Sequence, residues 1–129
     1  MRLQVTHFAV LTCFAATACT SAGAQSFSKD NDIHCSVLSF QFASMSAERA
    51  APPEAQEAVN LLQAWYAFKV REMALPQQKA REALSEADGI MKLIQSDPKS
   101  MTDELTACGD RAAKDPTFDQ FAQSYAAGK

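Results

Sequence analysis

The stretch from Val59 to Met73 reads VNLLQAWYAFKVREM, and its apolar residues recur at the three- and four-residue spacing of a helix. They fall into two neighbouring stripes, the first made of Val59, Leu62, Tyr66, Val70 and Met73 and the second of Leu61, Trp65 and Phe68. A surface helix usually presents one such stripe to the core. Two adjacent stripes therefore predict a central helix that packs against other helices on more than one side.

The segments on both sides of this helix are predicted to be helical as well. Pro52 and Pro53 mark its start, since proline is tolerated in the first turn of a helix. Upstream, a first helix begins near Asp30 or Asp32, and its apolar face is made of Cys35, Leu38, Phe42 and Met45. Downstream, the pattern predicts helices over residues 77–95, 98 to about 114 and 116 to about 126.

The last two of these helices are expected to open with the same device. Asp97-Pro98 and Asp115-Pro116 each place a side-chain acceptor before a proline at the first helical position. Gly109 is expected to weaken or shorten the helix that contains it. Because no run of alternating β-branched residues predicts a strand, the fold class is all-α, a compact bundle of four to five short helices.

Residues 1–24 have the layout of a secretory signal peptide. Arg2 is followed by the apolar run FAVLTCFAATA over residues 8–18, and Ala22-Gly23-Ala24 supplies the small residues of a cleavage site. The run is shorter than the roughly 20 residues that span a bilayer. We expect cleavage before Gln25, a single helical domain over residues 25–129, and a periplasmic or secreted protein without a transmembrane span.

A second cleavage site lies within the same region. Residues 16–19 read ATAC and resemble a bacterial lipobox, in which the cysteine becomes lipidated and starts the mature chain. Alanine stands where the usual leucine is expected. Lipid anchoring through Cys19 is therefore the alternative to a freely diffusing periplasmic protein.

Cleavage before Gln25 leaves two cysteines, Cys35 and Cys108. Two cysteines in an exported chain predict one disulfide, which would join the first helix to the fourth. The alternative is a pair of buried free thiols.

Composition argues against several functional classes. The chain has a formal net charge of −3 and no basic block, which disfavours nucleic-acid binding. His34 is the one histidine after residue 24, so neither a zinc site nor a hydrolase with a histidine base is expected. Asp30-Asn31-Asp32 resembles the start of a calcium loop, but Cys35 and Gln41 stand where an EF-hand needs Gly and Glu. We predict no catalytic residues, no metal and no cofactor.

The densest aromatic and basic group in the chain surrounds Trp65. A ligand or a partner protein could bind at Trp65 and Arg71, two residue types that are frequent at binding hot spots. The interpretation that we prefer is an aromatic core with Lys69 and Arg71 at its solvent edge, because apolar stripes at helical spacing are ordinarily part of a core. A helical face, or a pocket among Met45, Leu62, Trp65 and Met91, is a further candidate for a partner site.

Three stretches carry a resemblance to a known group of proteins: HCSVLSFQF at residues 34–42, LLQAWYAFKV at 61–70 and LTACGDRA at 105–112. With them the chain resembles small exported helical proteins of proteobacteria that have one early and one late cysteine. The resemblance implies no activity and no site residues. The plan of one disulfide in an all-helical domain is also similar to that of periplasmic acid-stress chaperones, as an analogy of architecture alone.

These observations favour a non-enzymatic interaction or binding factor of the cell envelope, with another protein as its partner. The first alternative is an acid-stress chaperone. The second is an enzyme with a carboxylate site, which would require a carboxyl group of raised pKa in a concave pocket.

Overall fold

The computed structural model describes residues 26–129, which form five helices and no strand. The helices are α1 (Asp32–Glu48), α2 (Pro53–Glu72), α3 (Gln77–Ile94), α4 (Pro98–Lys114) and α5 (Phe118–Ala127). The predicted all-α bundle is confirmed. The predictions made for the signal peptide, for cleavage before Gln25 and for lipidation of Cys19 lie outside the described residues. None of the helices in this region is long and apolar enough to cross a membrane.

Local chemistry sets the ends of the first two helices. The side chain of Asn31 accepts hydrogen bonds from the amides of Ile33 and His34 and so caps the start of α1. Both α1 and α2 are followed by an alanine in the left-handed region, Ala50 (φ 50°) and Ala74 (φ 48°). A proline follows two residues after each alanine, at positions 52 and 76. Each helix therefore stops within one turn of a proline that starts the next helix.

The two Asp-Pro pairs differ in what they do. Asp97 accepts hydrogen bonds from the amides of Lys99 and Ser100 and caps α4 as predicted. Asp115 instead accepts from the amide and the hydroxyl of Thr117, at 2.9 and 2.7 Å, and forms a turn. The prediction that the last helix starts at Pro116 was therefore wrong by two residues. Gly109 lies inside α4, which continues to Lys114.

The core lies between α1, α2, α3 and α4. The predicted disulfide joins Cys35 of α1 to Cys108 of α4, with Cα atoms 5.8 Å apart and both residues fully buried. The side chains packed around it come from all four helices and include Leu38, Leu62, Trp65, Tyr66, Ile90, Met91 and Met101. Helix α5 lies outside this core and packs against α2 and α4.

Candidate functional site

Trp65 lies at the point where the core meets α5. It retains 2% of its surface exposed, and its ring meets two rings of α5 edge to face, those of Phe118 and Phe121, with centroids 5.2 Å apart in both cases. Phe68, one turn further along α2, lies 5.9 Å from Trp65 and 5.3 Å from Phe121. Trp65, Phe68, Phe118 and Phe121 are called the aromatic cluster below.

A cavity of about 420 Å³ opens along one side of this cluster, between α2 and α5. Its apolar walls are Trp65, Phe68 and Phe121, and its polar rim includes Lys69, Glu72 and Gln120. Ligand pockets commonly have volumes of roughly 300–1,000 Å³ and combine apolar walls with a few polar groups. This cavity, called the α2–α5 groove below, has both properties.

The charged groups of the groove are of two kinds. The ammonium of Lys69 lies 5.4 Å from the centre of the Trp65 ring and 3.3 Å from a carboxylate oxygen of Asp115. Hydrogen bonds from Thr117, and then the hydrogen bond and charge of Lys69, lower the pKa of Asp115, so this carboxyl group stays ionised at neutral pH. Glu72 is exposed and takes part in none of the ion pairs found within residues 26–129. The rim near Glu72 is therefore acidic.

The structure separates the two residues that the sequence proposed as a binding pair. Trp65 lines the groove, whereas Arg71 is exposed and lies outside the groove lining. Six residues correspond to about 600° of helix rotation, which places the two side chains on different faces of α2. Lys69 and Glu72, at four and seven residues from Trp65, share its face. Their spacing was the signal that could have identified them.

The pocket expected among Met45, Leu62, Trp65 and Met91 is part of the core instead. Leu62, Trp65 and Met91 are buried, and Met45 packs against them. Leu62 also borders a second cavity of about 380 Å³ between α2 and α4, which ends at Phe118. One cavity therefore runs along α5 beside the aromatic cluster, and a second reaches the cluster at Phe118.

Another apolar cavity, of about 390 Å³, lies between α1, α2 and α3. It is lined by Val37, Phe40 and Leu84, of which Phe40 is 57% exposed and Leu84 43% exposed. This surface is apolar but has no aromatic side chains apart from Phe40.

His34 is held in a structural role at the start of α1. It is 6% exposed, its Nδ1 accepts a hydrogen bond from the amide of Ser28 at 3.0 Å, and its ring packs against Phe27. Burial lowers its pKa, partly offset by the charge of Glu86. Within residues 26–129 no group of three His, Cys, Asp or Glu side chains is placed to hold a metal ion.

A polar network surrounds the disulfide. The hydroxyl of Tyr66 donates to the carbonyl of Cys108 at 2.7 Å, and the guanidinium of Arg111 lies 5.2 Å from the centre of the Tyr66 ring. Arg111 also pairs with Asp32 and donates to the carbonyl of Lys29. The network connects the start of α1 to α2 and α4. The polar groups in it interact with one another.

No protein-family model, curated protein or solved structure matches this chain. What the protein does must therefore be argued from the geometry of its own surface.

Proposed function

We propose that the protein is an exported, non-enzymatic binding factor of the cell envelope, and that it holds an apolar segment of a partner protein in the α2–α5 groove. The observation that carries this proposal is the groove itself, in which Trp65, Phe68 and Phe121 form apolar walls beside Lys69 and Glu72.

The chemistry of the walls and the rim indicates what the segment would contain. Aromatic side chains gain additional stability from edge-to-face contacts with other rings, so an aromatic residue suits the walls. Glu72 lies at the C-terminal end of α2, where the helix dipole is also negative, and a basic side chain would be favoured there. The expected segment therefore carries a Phe, Tyr or Leu with a Lys or Arg close to it.

Export is supported by the layout of residues 1–24 and by the disulfide. Disulfides persist in oxidising compartments and are rare in the cytoplasm. Cys35 and Cys108 are fully buried in the disulfide, so it belongs to the stable core. We place the mature protein in the periplasm or outside the cell, with lipid anchoring through Cys19 as the alternative.

A binding role agrees better with the carboxyl groups than an enzymatic one does. A carboxyl general acid needs a raised pKa to remain protonated near neutral pH. Within residues 26–129, the carboxyl groups of Glu57, Asp97 and Asp115 have a lowered pKa. Hydrogen bonds to their anions cause each shift.

The test uses the fluorescence of Trp65, the one tryptophan in the chain. Protein isolated from the periplasm should have the mass of a chain beginning at Gln25, and an acylated Cys19 would contradict that start. It is then titrated with a short peptide in which Phe and Lys lie three residues apart. A saturable change in emission is expected. Peptides with Ala in place of Phe, or Asp in place of Lys, should bind at least several-fold more weakly.

Neighbouring residues of α2 provide a matched pair of variants. Glu72→Gln should weaken binding of the Phe-Lys peptide, whereas Arg71→Gln should leave it unchanged because Arg71 lies outside the groove. Emission that does not respond to any peptide, or equal losses in the two variants, would overturn the proposal.

One observation favours an acid-stress chaperone as the second candidate. Carboxylates hold both ends of α5 against α2, Asp115 at one end and Glu57 at the other. Their protonation would loosen the helix that covers the aromatic cluster.

A further inference from the structure

Helix α5 is the least embedded element of the described chain. It has ten residues, and it is the one helix among residues 26–129 that contributes no buried residue. Isolated helices shorter than about 12–15 residues are marginal in water, so α5 depends on its packing against α2 and α4. The aromatic side chains of α5 that pack against the core are Phe118 and Phe121, which are both half-buried.

The contact between α5 and α2 is incompletely filled. The α2–α5 groove, of about 420 Å³, runs along it, and the cavity of about 380 Å³ between α2 and α4 ends at Phe118 of α5. Apolar atoms that line such open grooves remain in contact with water, so their burial stabilises the attachment of α5 only in part. Helix α5 is therefore attached to α2 mainly through contacts between aromatic rings.

Ion pairs also join both ends of α5 to α2. At the start of α5, Asp115 accepts hydrogen bonds from Thr117 and pairs with Lys69 of α2 at 3.3 Å. At the other end, Lys129 pairs with Glu57 of α2 at 2.8 Å. Each ion pair needs an ionised carboxylate.

Resting on the proposed function, we propose that α5 is a displaceable wall of the α2–α5 groove. Acid releases it from α2 while α1–α4 stay folded, and the uncovered face of Leu62, Trp65 and Phe68 then takes apolar segments of unfolded proteins. The face fits such segments because it is occupied in the closed form by aromatic side chains three residues apart, those of Phe118 and Phe121.

The direction of the pH dependence follows from the two carboxyl groups. Hydrogen bonds from Thr117, followed by the interaction with Lys69, lower the pKa of Asp115, and the hydrogen bond and charge of Lys129 lower that of Glu57. A group whose pKa is lower in the folded state stabilises the fold above its unfolded pKa, and this stabilisation is lost as the pH falls through the folded value. Both contributions are therefore complete at neutral pH and disappear below about pH 4.

Other titratable or charged groups lie on the elements that meet at these pairs. They are Tyr66 and Glu72 on α2, Arg111 and Lys114 at the end of α4, and Asp119 and Tyr125 on α5. Arg111 pairs with Asp32. Once Asp115 is neutral, Lys69 has lost the carboxylate with which it pairs.

The test needs the mature protein alone, with no ligand. From pH 7 to pH 3 the emission maximum of Trp65 should move to longer wavelength as the rings of α5 leave it. The far-UV circular dichroism should retain the signal of α1–α4. Pepsin at pH 3, followed by mass spectrometry under non-reducing conditions, should cut first within residues 115–127 and leave α1–α4 intact.

The two Asp-Pro pairs provide a matched comparison of variants. Asp115→Asn combined with Glu57→Gln removes the two carboxylates whose protonation releases α5, so Trp65 emission at pH 7 should already resemble that of the wild type at pH 3, with the wild-type midpoint lost. Asp97→Asn removes a carboxylate of lowered pKa from the start of α4, away from α5, and should leave that midpoint unchanged. If the double variant folds poorly, the pH dependence of Trp65 emission and the pepsin cleavage of the wild-type protein still test the inference.

Three outcomes would overturn the inference: a Trp65 emission that is unchanged at pH 3, first cuts by pepsin within α1–α4, or equal shifts in the Asp97 and Asp115 variants. First loss of α1 would instead point to protonation of His34, which is buried with a lowered pKa. Failure of peptide binding at pH 7 would overturn the proposed function but would leave these acid measurements as they are.

Discussion

The four-helix core and α5 are held by different kinds of interaction. In the core, Cys35, Leu38, Tyr66, Met91 and Cys108 are fully buried, and a disulfide joins the first and fourth helices. Helix α5 has no buried residue and is attached by half-buried rings, by the partly buried pair of Lys69 and Asp115, and by the exposed pair of Glu57 and Lys129. The free energy of unfolding thus resides mainly in α1–α4. The surface proposed for binding lies where the weakly attached helix meets this core.

The two regions differ because they remove different amounts of apolar surface from water. Helix α2 packs against α1 along its length and against α4 through Tyr66, so its stripes are covered from two directions. Helix α5 covers the remaining side of Trp65 with ring edges only. Local opening with a low free-energy cost is expected where few apolar contacts are buried and the backbone is exposed.

The largest expected effect tests the core. Replacing Cys35 and Cys108 together by Ala releases a loop closed across 73 residues, and the chain-entropy estimate for such a loop is about 4 kcal/mol. Urea denaturation of the double variant should show a loss of this size. The control is thiol labelling of unfolded, unreduced wild-type protein. We expect it to detect no free cysteine. Two labels per chain would remove the basis of the comparison.

Much of the fold could be predicted because its signals are local. Helical spacing of apolar residues, proline in first turns and the Asp97 cap act within a few residues, and they placed all five helix starts within two residues of those observed. The disulfide followed from counting cysteines in an exported chain. These features depend little on the rest of the structure.

The parts that escaped prediction depend on tertiary contacts. Ala50 and Ala74 adopt the left-handed conformation that usually favours glycine, and no residue type at those positions signalled it. Asp115 was expected to cap a helix as Asp97 does, but its carboxylate accepts a hydrogen bond from Thr117 and pairs with Lys69 instead. In the candidate site, Trp65 was identified, whereas Phe121 contributes from a helix 56 residues away in sequence, a pairing that spacing cannot show.

The next effect tests α5. Phe121→Ala removes a half-buried ring from its contacts with Trp65 and Phe68. Removing a fully buried phenylalanine side chain costs about 3–5 kcal/mol. Removing this half-buried ring should therefore weaken the attachment of α5 to the core by about 2 kcal/mol. Trp65 emission at pH 7 should move to longer wavelength while the disulfide core keeps its helical signal. Simultaneous loss of both signals at one urea concentration would show that α5 and the core form one cooperative unit.

The smallest effect separates the polar network of the core from its packing. Tyr66→Phe keeps the ring but removes the hydrogen bond to the carbonyl of Cys108, at an expected cost of about 1 kcal/mol at pH 7. Burial, and then the charge of Asp115, raises the pKa of Tyr66 to about 12.

A raised pKa makes this contribution sensitive to base. The stabilisation from the neutral hydroxyl is complete below the unfolded pKa of about 10 and is lost as the pH rises to the folded value near 12. Urea midpoints at pH 7, 10 and 11 should therefore fall more steeply for wild type than for Tyr66→Phe, and the two proteins should converge. Parallel curves would mean that the hydroxyl of Tyr66 ionises as freely in the folded protein as in the unfolded chain, and that α2 is less tightly covered by α4 than the hydrogen bond to Cys108 implies.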